Sequence, residues 1–279
     1  MSDSAPLRPF LKWAGGKRQL LPRILELAPT RIRTYCEPFI GGGAVFFALA
    51  GERRFERAVL GDVNPELIGC YEAVRDRAPE VIRLLGGWRN REDDYYRVRE
   101  QRPAQLSPTE RAARLIYLNR CGYNGLYRVN SEGIFNVPFG RYASVRICDP
   151  ERLEAASRAL QSVELICGDF RTVIEACAPA RQDFVYLDPP YVPISSTASF
   201  TAYAGAFDME DQRRLAQQLC ELAEARVPAV LSNSYCRATL SLYRHDGLLR
   251  QRVQARRAIN SVATRRGPIA EILVRTAAV

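Results

Sequence analysis

Residues 183–191 read DFVYLDPPY, an apolar run that ends in two prolines. Phe184, Val185, Tyr186 and Leu187 have the length and composition of a buried strand. Pro189 and Pro190 carry no N–H, so the ladder stops there. An acid, a stiff turn and an aromatic ring therefore sit at the carboxyl end of a strand, where open α/β sheets bind ligands. The plain alternative is a strand-ending turn with a surface Asp.

Strand and helix signals alternate around this corner. Thr34–Phe47 reads as a strand through Cys36 ending at Glu37-Pro38, then a turn at Gly41, Gly42 and Gly43, then a packed helix. Ala58–Asp62 is a second strand ending in an acid. Asp62 is placed either to accept ribose hydroxyls or to cap the helix starting near Pro65. Ser162–Phe170 is a third strand, ending in Gly168-Asp169, and a helix follows to about Ala178. Asp149-Pro150 caps a helix to Leu160, and Asp208 starts a long amphipathic helix to Ala225. Val227–Asn233 is a fifth strand, and Leu248–Arg257 with Ala270–Thr276 form a terminal strand pair. Ile194–Phe207 lacks periodicity and reads as a loop.

The stretch from Asn64 to Arg120 is helical and arginine-rich. Ser107-Pro108-Thr109-Glu110 is a capping box. Cys121–Arg141 places turn signals at Asn124-Gly125 and Glu132-Gly133, which predicts a hairpin or paired loops. The fold expected is α/β: a Rossmann-like doubly wound sheet, residues 1–64 and 149–279, with an inserted, mainly helical domain carrying a hairpin, residues 65–148.

The chain has 279 residues, long enough for one large domain or a domain plus an insert. It holds no run of 18 apolar residues and opens without an apolar leader, so a cytoplasmic chain with no membrane partner is expected. Eight cysteines without C-x-x-C spacing and the single His245 argue against a metal site and for reduced, mostly buried thiols. The net charge of +9 points to an acidic partner such as nucleic acid. Of 40 basic residues 38 are arginine; the exceptions, Lys12 and Lys17, are near neighbours, as if an ammonium is needed there. Trp13 and Lys17 flank Ala14-Gly15-Gly16, a glycine turn without P-loop spacing, and could border a small cofactor. In the insert, Arg120, Arg128, Arg141 and Arg146 interleave with Tyr123, Tyr127, Phe135 and Tyr142. Such a mixture can bind phosphates and stack or wedge bases; a solvated arginine face is the alternative.

The double-proline corner suits methylation of an exocyclic amino group. Asp188 can accept one N–H of an NH2 and the Pro189 carbonyl the other. The amine lone pair would then be drawn out of conjugation towards an electrophilic methyl, with Tyr191 offering a face to a planar base.

Four blocks, PFLKWAGGK, EPFIGGGAVFF, NRCGYNGLYRVNSEGIFNVPFGRY and YLDPPYVPISSTASFTAY, occur in this order and resemble the Dam-type DNA adenine-N6 methyltransferases over about residues 9–275. The resemblance implies S-adenosylmethionine as methyl donor, S-adenosylhomocysteine as product and no metal. It implies a catalytic tetrad of Asp188, Pro189, Pro190 and Tyr191. It implies a donor pocket lined by Trp13, Ala14, Gly15, Lys17, Glu37, Pro38, Phe39, Gly41, Gly43 and Asp188, with Asp62 on the ribose and Asp169 and Phe170 near the donor's adenine. The insert would be the target-recognition domain for double-stranded DNA. By motif, Arg128 would contact guanine, Lys12, Leu126 and Pro138 would make base contacts, Tyr123 and Asn124 would wedge into the opened step, and Asn136 and Arg141 would join the DNA-binding set. The implied target is GATC, reached by base flipping, by a monomer associated with the nucleoid. Cys121 and Tyr127 depart from the family pattern, where a bulkier aromatic and a small residue are usual. Rival readings are an amino-methyltransferase acting on RNA or protein, and a DNA-binding regulator without catalysis.

Overall fold

A computed structural model describes residues 7–13, 17, 19–194, 207–256 and 268–277. The elements are α1 (Leu21–Leu27), β1 (Ile32–Glu37), α2 (Ala44–Gly51), β2 (Phe55–Asp62), α3 (Pro65–Gly86), α4 (Glu92–Glu100), α5 (Pro108–Cys121), α6 (Pro150–Leu160), β3 (Val163–Cys167), α7 (Phe170–Cys177), β4 (Phe184–Leu187), α8 (Met209–Glu224), β5 (Ala229–Ser234), α9 (Arg237–Leu242), β6 (Leu248–Arg256) and β7 (Pro268–Thr276). The strands form one mixed sheet in the order β3-β2-β1-β4-β5-β7-β6. β1 pairs in parallel with β2 and β4, β4 with β5, and β7 runs antiparallel between β5 and β6. The α/β, mostly parallel sheet expected from the sequence is the fold observed. The order reverses beside β1, so the carboxyl ends of β1 and β4 flank a topological switch point.

The chain divides into two packed units. The first comprises residues 1–16, 40–53 and 61–168; the second, 17–39, 54–60 and 169–279. In the first, Phe10 packs edge-on against Phe47 and Tyr71, and Tyr95 and Tyr117 are fully buried. Arg114 is also buried; its guanidinium donates to the carbonyls of Val98 and Arg99, which offsets the cost of taking it from water. In the second unit, Tyr35 is stacked between Phe55 and Phe184. Asp183, fully buried at the foot of β4, accepts from the Arg33 guanidinium and from the N–H groups of Thr34 and Ala180, tying β4 to β1.

Local signals locate most helix starts. Ser107 and Glu110 form the expected capping box; Asp149 and Asp208 cap α6 and α8. Three expectations are corrected. The cap of α3 is Asn64, which accepts from the N–H groups of Glu66 and Leu67; Asp62 lies two residues too early to reach them. The hairpin over Cys121–Arg141 reduces to two isolated antiparallel bridges, Gly122 with Phe139 and Val129 with Phe135. Asn124 adopts φ +54, so the backbone turns before a ladder can form. None of the eight cysteines forms a disulfide, but only Cys36, Cys70, Cys121 and Cys177 are buried, and Cys167 is exposed. Among the described residues no cluster of His, Cys, Asp or Glu could hold a metal ion, and no helix is long and apolar enough to cross a membrane. The loop expected at 194–207 lies almost wholly outside the described residues.

Candidate active site and nucleic-acid interface

In the second unit, β4 delivers Asp188 to its carboxyl end beside Glu37, the last residue of β1. One oxygen of Asp188, Oδ1, is engaged twice: by Lys17 Nζ at 2.8 Å and by the Ser232 hydroxyl at 3.0 Å. Oδ2 meets no donor among the described residues. Burial pushes the Asp188 carboxyl above its ordinary range, while the Lys17 charge and the Ser232 hydroxyl pull it back down. The Pro190 carbonyl accepts from Gln212 Nε2 at 2.8 Å, whereas the Pro189 carbonyl has no partner among the described residues. Tyr191 donates to Glu271 Oε2 at 2.8 Å, and its ring lies 4.6 Å below the Lys17 ammonium. The corner thus presents two unused acceptors beside an aromatic face, which is what a planar amine needs.

The same unit carries Phe39 stacked on Phe170, both edged by Phe207. Asp169 caps α7 through the Arg171 N–H and pairs with Arg214 at 3.0 Å. Glu37 and Pro38 are buried, and Glu37 accepts from the Tyr35 hydroxyl at 2.8 Å.

The first unit carries the glycine turn. Gly41 and Gly43 take φ +45 and +70, and a Cβ on Gly41 would stand 2.8 Å from the Trp13 ring, so neither position accepts a side chain without strain. Asp62 accepts from the N–H groups of Gly41 and Asn64; burial pushes its carboxyl up to about 6, against the downward pull of these backbone donors. A glycine turn, an indole and an acid held by backbone donors fit a nucleoside-bearing cofactor. Ala14 and Gly15 lie outside the described residues.

The residues expected to read DNA belong to this first unit. Asn119 clasps the backbone of Lys12, its Oδ1 accepting from the Lys12 N–H at 2.8 Å and its Nδ2 donating to the Lys12 carbonyl at 2.5 Å. Lys12 Nζ stands 5.4 Å from the Tyr142 ring centre. Arg128 is exposed and braced by Asn136, whose Oδ1 and carbonyl take its Nε and Nη2. Tyr123 is exposed and donates its N–H to the Pro138 carbonyl; Asn124 donates its N–H to the Tyr142 hydroxyl. Leu126 is half-buried next to them. Arg141 takes φ +51 and pairs with Glu92 at 3.3 Å. Tyr127 stacks on Trp13 with ring centres 5.5 Å apart and donates to Glu66.

The sequence reading missed Ser232, Asn233, Gln212 and Glu271. A signal existed: Ser232-Asn233-Ser234 are polar residues in an otherwise apolar, fully buried strand.

A family model described as D12 class N6 adenine-specific DNA methyltransferase matches residues 13–259. The chain belongs to this family. This D12 class methyltransferase is 42% identical over 277 residues to a type II methyltransferase of Lactococcus lactis subsp. cremoris, covering 96% of this chain and 95% of the relative. It is 38% identical over 278 residues to a type II methyltransferase of Methanocaldococcus jannaschii, with 93% and 95% covered. It is 38% identical over 274 residues to the DNA adenine methylase of Escherichia coli, with 95% and 94% covered. Family membership makes the chain an adenine-specific DNA methyltransferase and implies S-adenosylmethionine as its methyl donor.

Proposed function

We propose that this methyltransferase methylates N6 of adenine within GATC in double-stranded DNA after flipping the base out of the stack. The observation that supports it most is the pair of open acceptors, Asp188 Oδ2 and the Pro189 carbonyl, set against the Tyr191 ring. S-adenosylmethionine, when bound, supplies an electrophilic methyl. The chain's residues position the amine. Asp188 and the Pro189 carbonyl each accept one N–H, Tyr191 holds the base plane, and Asp188 Oδ2 is the basic atom offered for the proton the amine loses on forming its N–C bond. Most of the acceleration comes from this positioning. Inside a duplex N6 is out of reach of such a corner; extrusion costs on the order of a few kcal/mol, offset by contacts to the flipped base.

In this reading residues 1–64 and 149–279 form the catalytic domain and 65–148 the target-recognition domain. Trp13, Ala14, Gly15, Lys17, Glu37, Pro38, Phe39, Gly41, Gly43, Asp62, Asp169, Phe170 and Asp188 serve the donor. Arg128, braced by Asn136, reads guanine, Lys12, Leu126 and Pro138 meet base edges, Tyr123 and Asn124 fill the opened step, and Arg141 adds to the DNA-binding set. The enzyme acts as a monomer on the nucleoid. Methylation-site sequencing of DNA from cells expressing the protein tests the reading. N6-methyladenine confined to GATC supports it; another motif, or modified cytosine, overturns it.

A further inference from the structure

Two consecutive residues of β5 reach the double-proline corner from opposite faces of the strand. Ser232 is fully buried, with Oγ 3.0 Å from Asp188 Oδ1 and 3.0 Å from the Tyr186 hydroxyl. A serine has one hydroxyl proton and a carboxylate only accepts, so Ser232 donates to Asp188 and must accept from Tyr186. The direction of the chain Tyr186 to Ser232 to Asp188 is therefore fixed as long as Asp188 is ionised. On the other face, Asn233 is also fully buried. Its Oδ1 accepts from the Val192 N–H at 3.0 Å, and its Nδ2 donates to Gln212 Oε1 at 3.0 Å. Gln212, buried in α8, then donates to the Pro190 carbonyl.

These contacts satisfy the polar groups that flank the reacting pair. We propose that Ser232, Asn233 and Gln212 are positioning residues for methyl transfer: they occupy Asp188 Oδ1, the Val192 N–H and the Pro190 carbonyl, so that Asp188 Oδ2 and the Pro189 carbonyl are the two acceptors left for the target amine. The inference rests on the roles proposed for Asp188 and Pro189 and assigns which carboxylate oxygen does the work. Without Ser232 the carboxylate is held at Oδ1 by the flexible Lys17 side chain alone, so its rotation about Cβ–Cγ is less tightly fixed and the amine meets a mixture of orientations. Misplacement on this scale costs rate rather than binding.

The test is single-turnover methyl transfer to a GATC duplex from pH 5 to 9, comparing the wild type with Ser232→Ala, Ser232→Thr, Tyr186→Phe and Asp188→Ala. Ser232→Ala should slow the chemical step by about 10- to 100-fold while duplex affinity stays within about two-fold. Its acidic limb should move to higher pH, because a donor to the carboxylate is gone. The charged and titratable groups facing Asp188 are Lys17, Tyr186 and Tyr191, with Glu271 behind Tyr191; none of them is altered in this variant. Ser232→Thr keeps the hydroxyl and should restore most of the rate. Tyr186→Phe, which removes the donor to Ser232 with little change of volume, should shift the limb in the same direction by a smaller amount. An unshifted limb and wild-type rate in both Ser232→Ala and Tyr186→Phe overturn the inference, as does a Ser232→Ala loss that Thr fails to restore. Activity surviving in Asp188→Ala would instead remove the proposed role of Asp188 itself.

Discussion

Lys17 Nζ lies 2.8 Å from Asp188 Oδ1, and the same ammonium sits over the Tyr191 ring. One cation thus ties together the acid and the aromatic ring of a single corner. Burial raises the Asp188 carboxyl and Lys17 opposes it, so removing the cation leaves burial the stronger influence. Lys17→Met is expected to move the acidic limb of the rate to higher pH. Lys17→Arg should not restore the wild-type profile, since a planar fork cannot replace a compact ammonium between a carboxylate and a ring face. Rate profiles of the three proteins check this; superimposable limbs would sink it.

Arg128 extends an exposed guanidinium that Asn136 holds at two points. Arg128→Ala should cost about 1–3 kcal/mol of discrimination at the guanine of the proposed GATC target and much less on nonspecific duplex. Asn136→Ala should blur the same position by letting the fork swing. Competition binding with each base in turn at that position is the measurement, and an unchanged preference would count against the assignment.

Tyr127 stacks on Trp13 and meets Phe135 edge-on, with its hydroxyl on Glu66. Tyr127→Phe keeps both ring contacts and should cost at most about 1 kcal/mol, the net worth of one hydrogen bond. Tyr127→Ala loses both aromatic pairs as well and should cost about 2 kcal/mol more. The two variants separate the ring from the hydroxyl, and urea midpoints read the difference. Equal midpoints would show that the stack contributes nothing.

Asp62 titrates at about 6 when folded, against about 3.9 in an unfolded chain. The native state then binds the proton more tightly, so between these values stability falls as pH rises. Below the lower value both states are protonated and the effect vanishes. The full swing is roughly 3 kcal/mol. Asp62→Asn cannot titrate, so relative to wild type it should gain stability as pH is raised from 4 to 7, on top of a constant loss from its weaker acceptance of two N–H groups. Denaturation of both proteins at several pH values decides; a difference independent of pH would refute the buried-acid account.

How far the sequence reveals the molecule depends on the range of the interaction. Ser107, Asp149 and Asp208 announce helix starts because a cap bonds its own next turn. The strands ending at Glu37, Asp62 and Leu187 announce themselves because apolar runs must be buried. Asp62 and Asn64 show the limit of local reading: both are acceptors before a helix, and two residues of spacing decide which one caps it. Ser232 and Asn233 needed β5 to lie beside β4, which no local pattern states. The pairing of Lys17 with Asp188 spans most of the chain and follows only from the fold. α9, short and weakly patterned, went unread.

The near-absence of lysine also has a practical side. Lys17 is buried against its carboxylate, so Lys12 is the one lysine whose side chain is exposed, and it stands beside Tyr142 and the Gly125 turn. Isotopic dimethylation of amines would place a single side-chain NMR reporter on that face, with the terminal amine as internal reference. The enzyme comes with its own spectroscopic label, already located on the face proposed to meet the duplex.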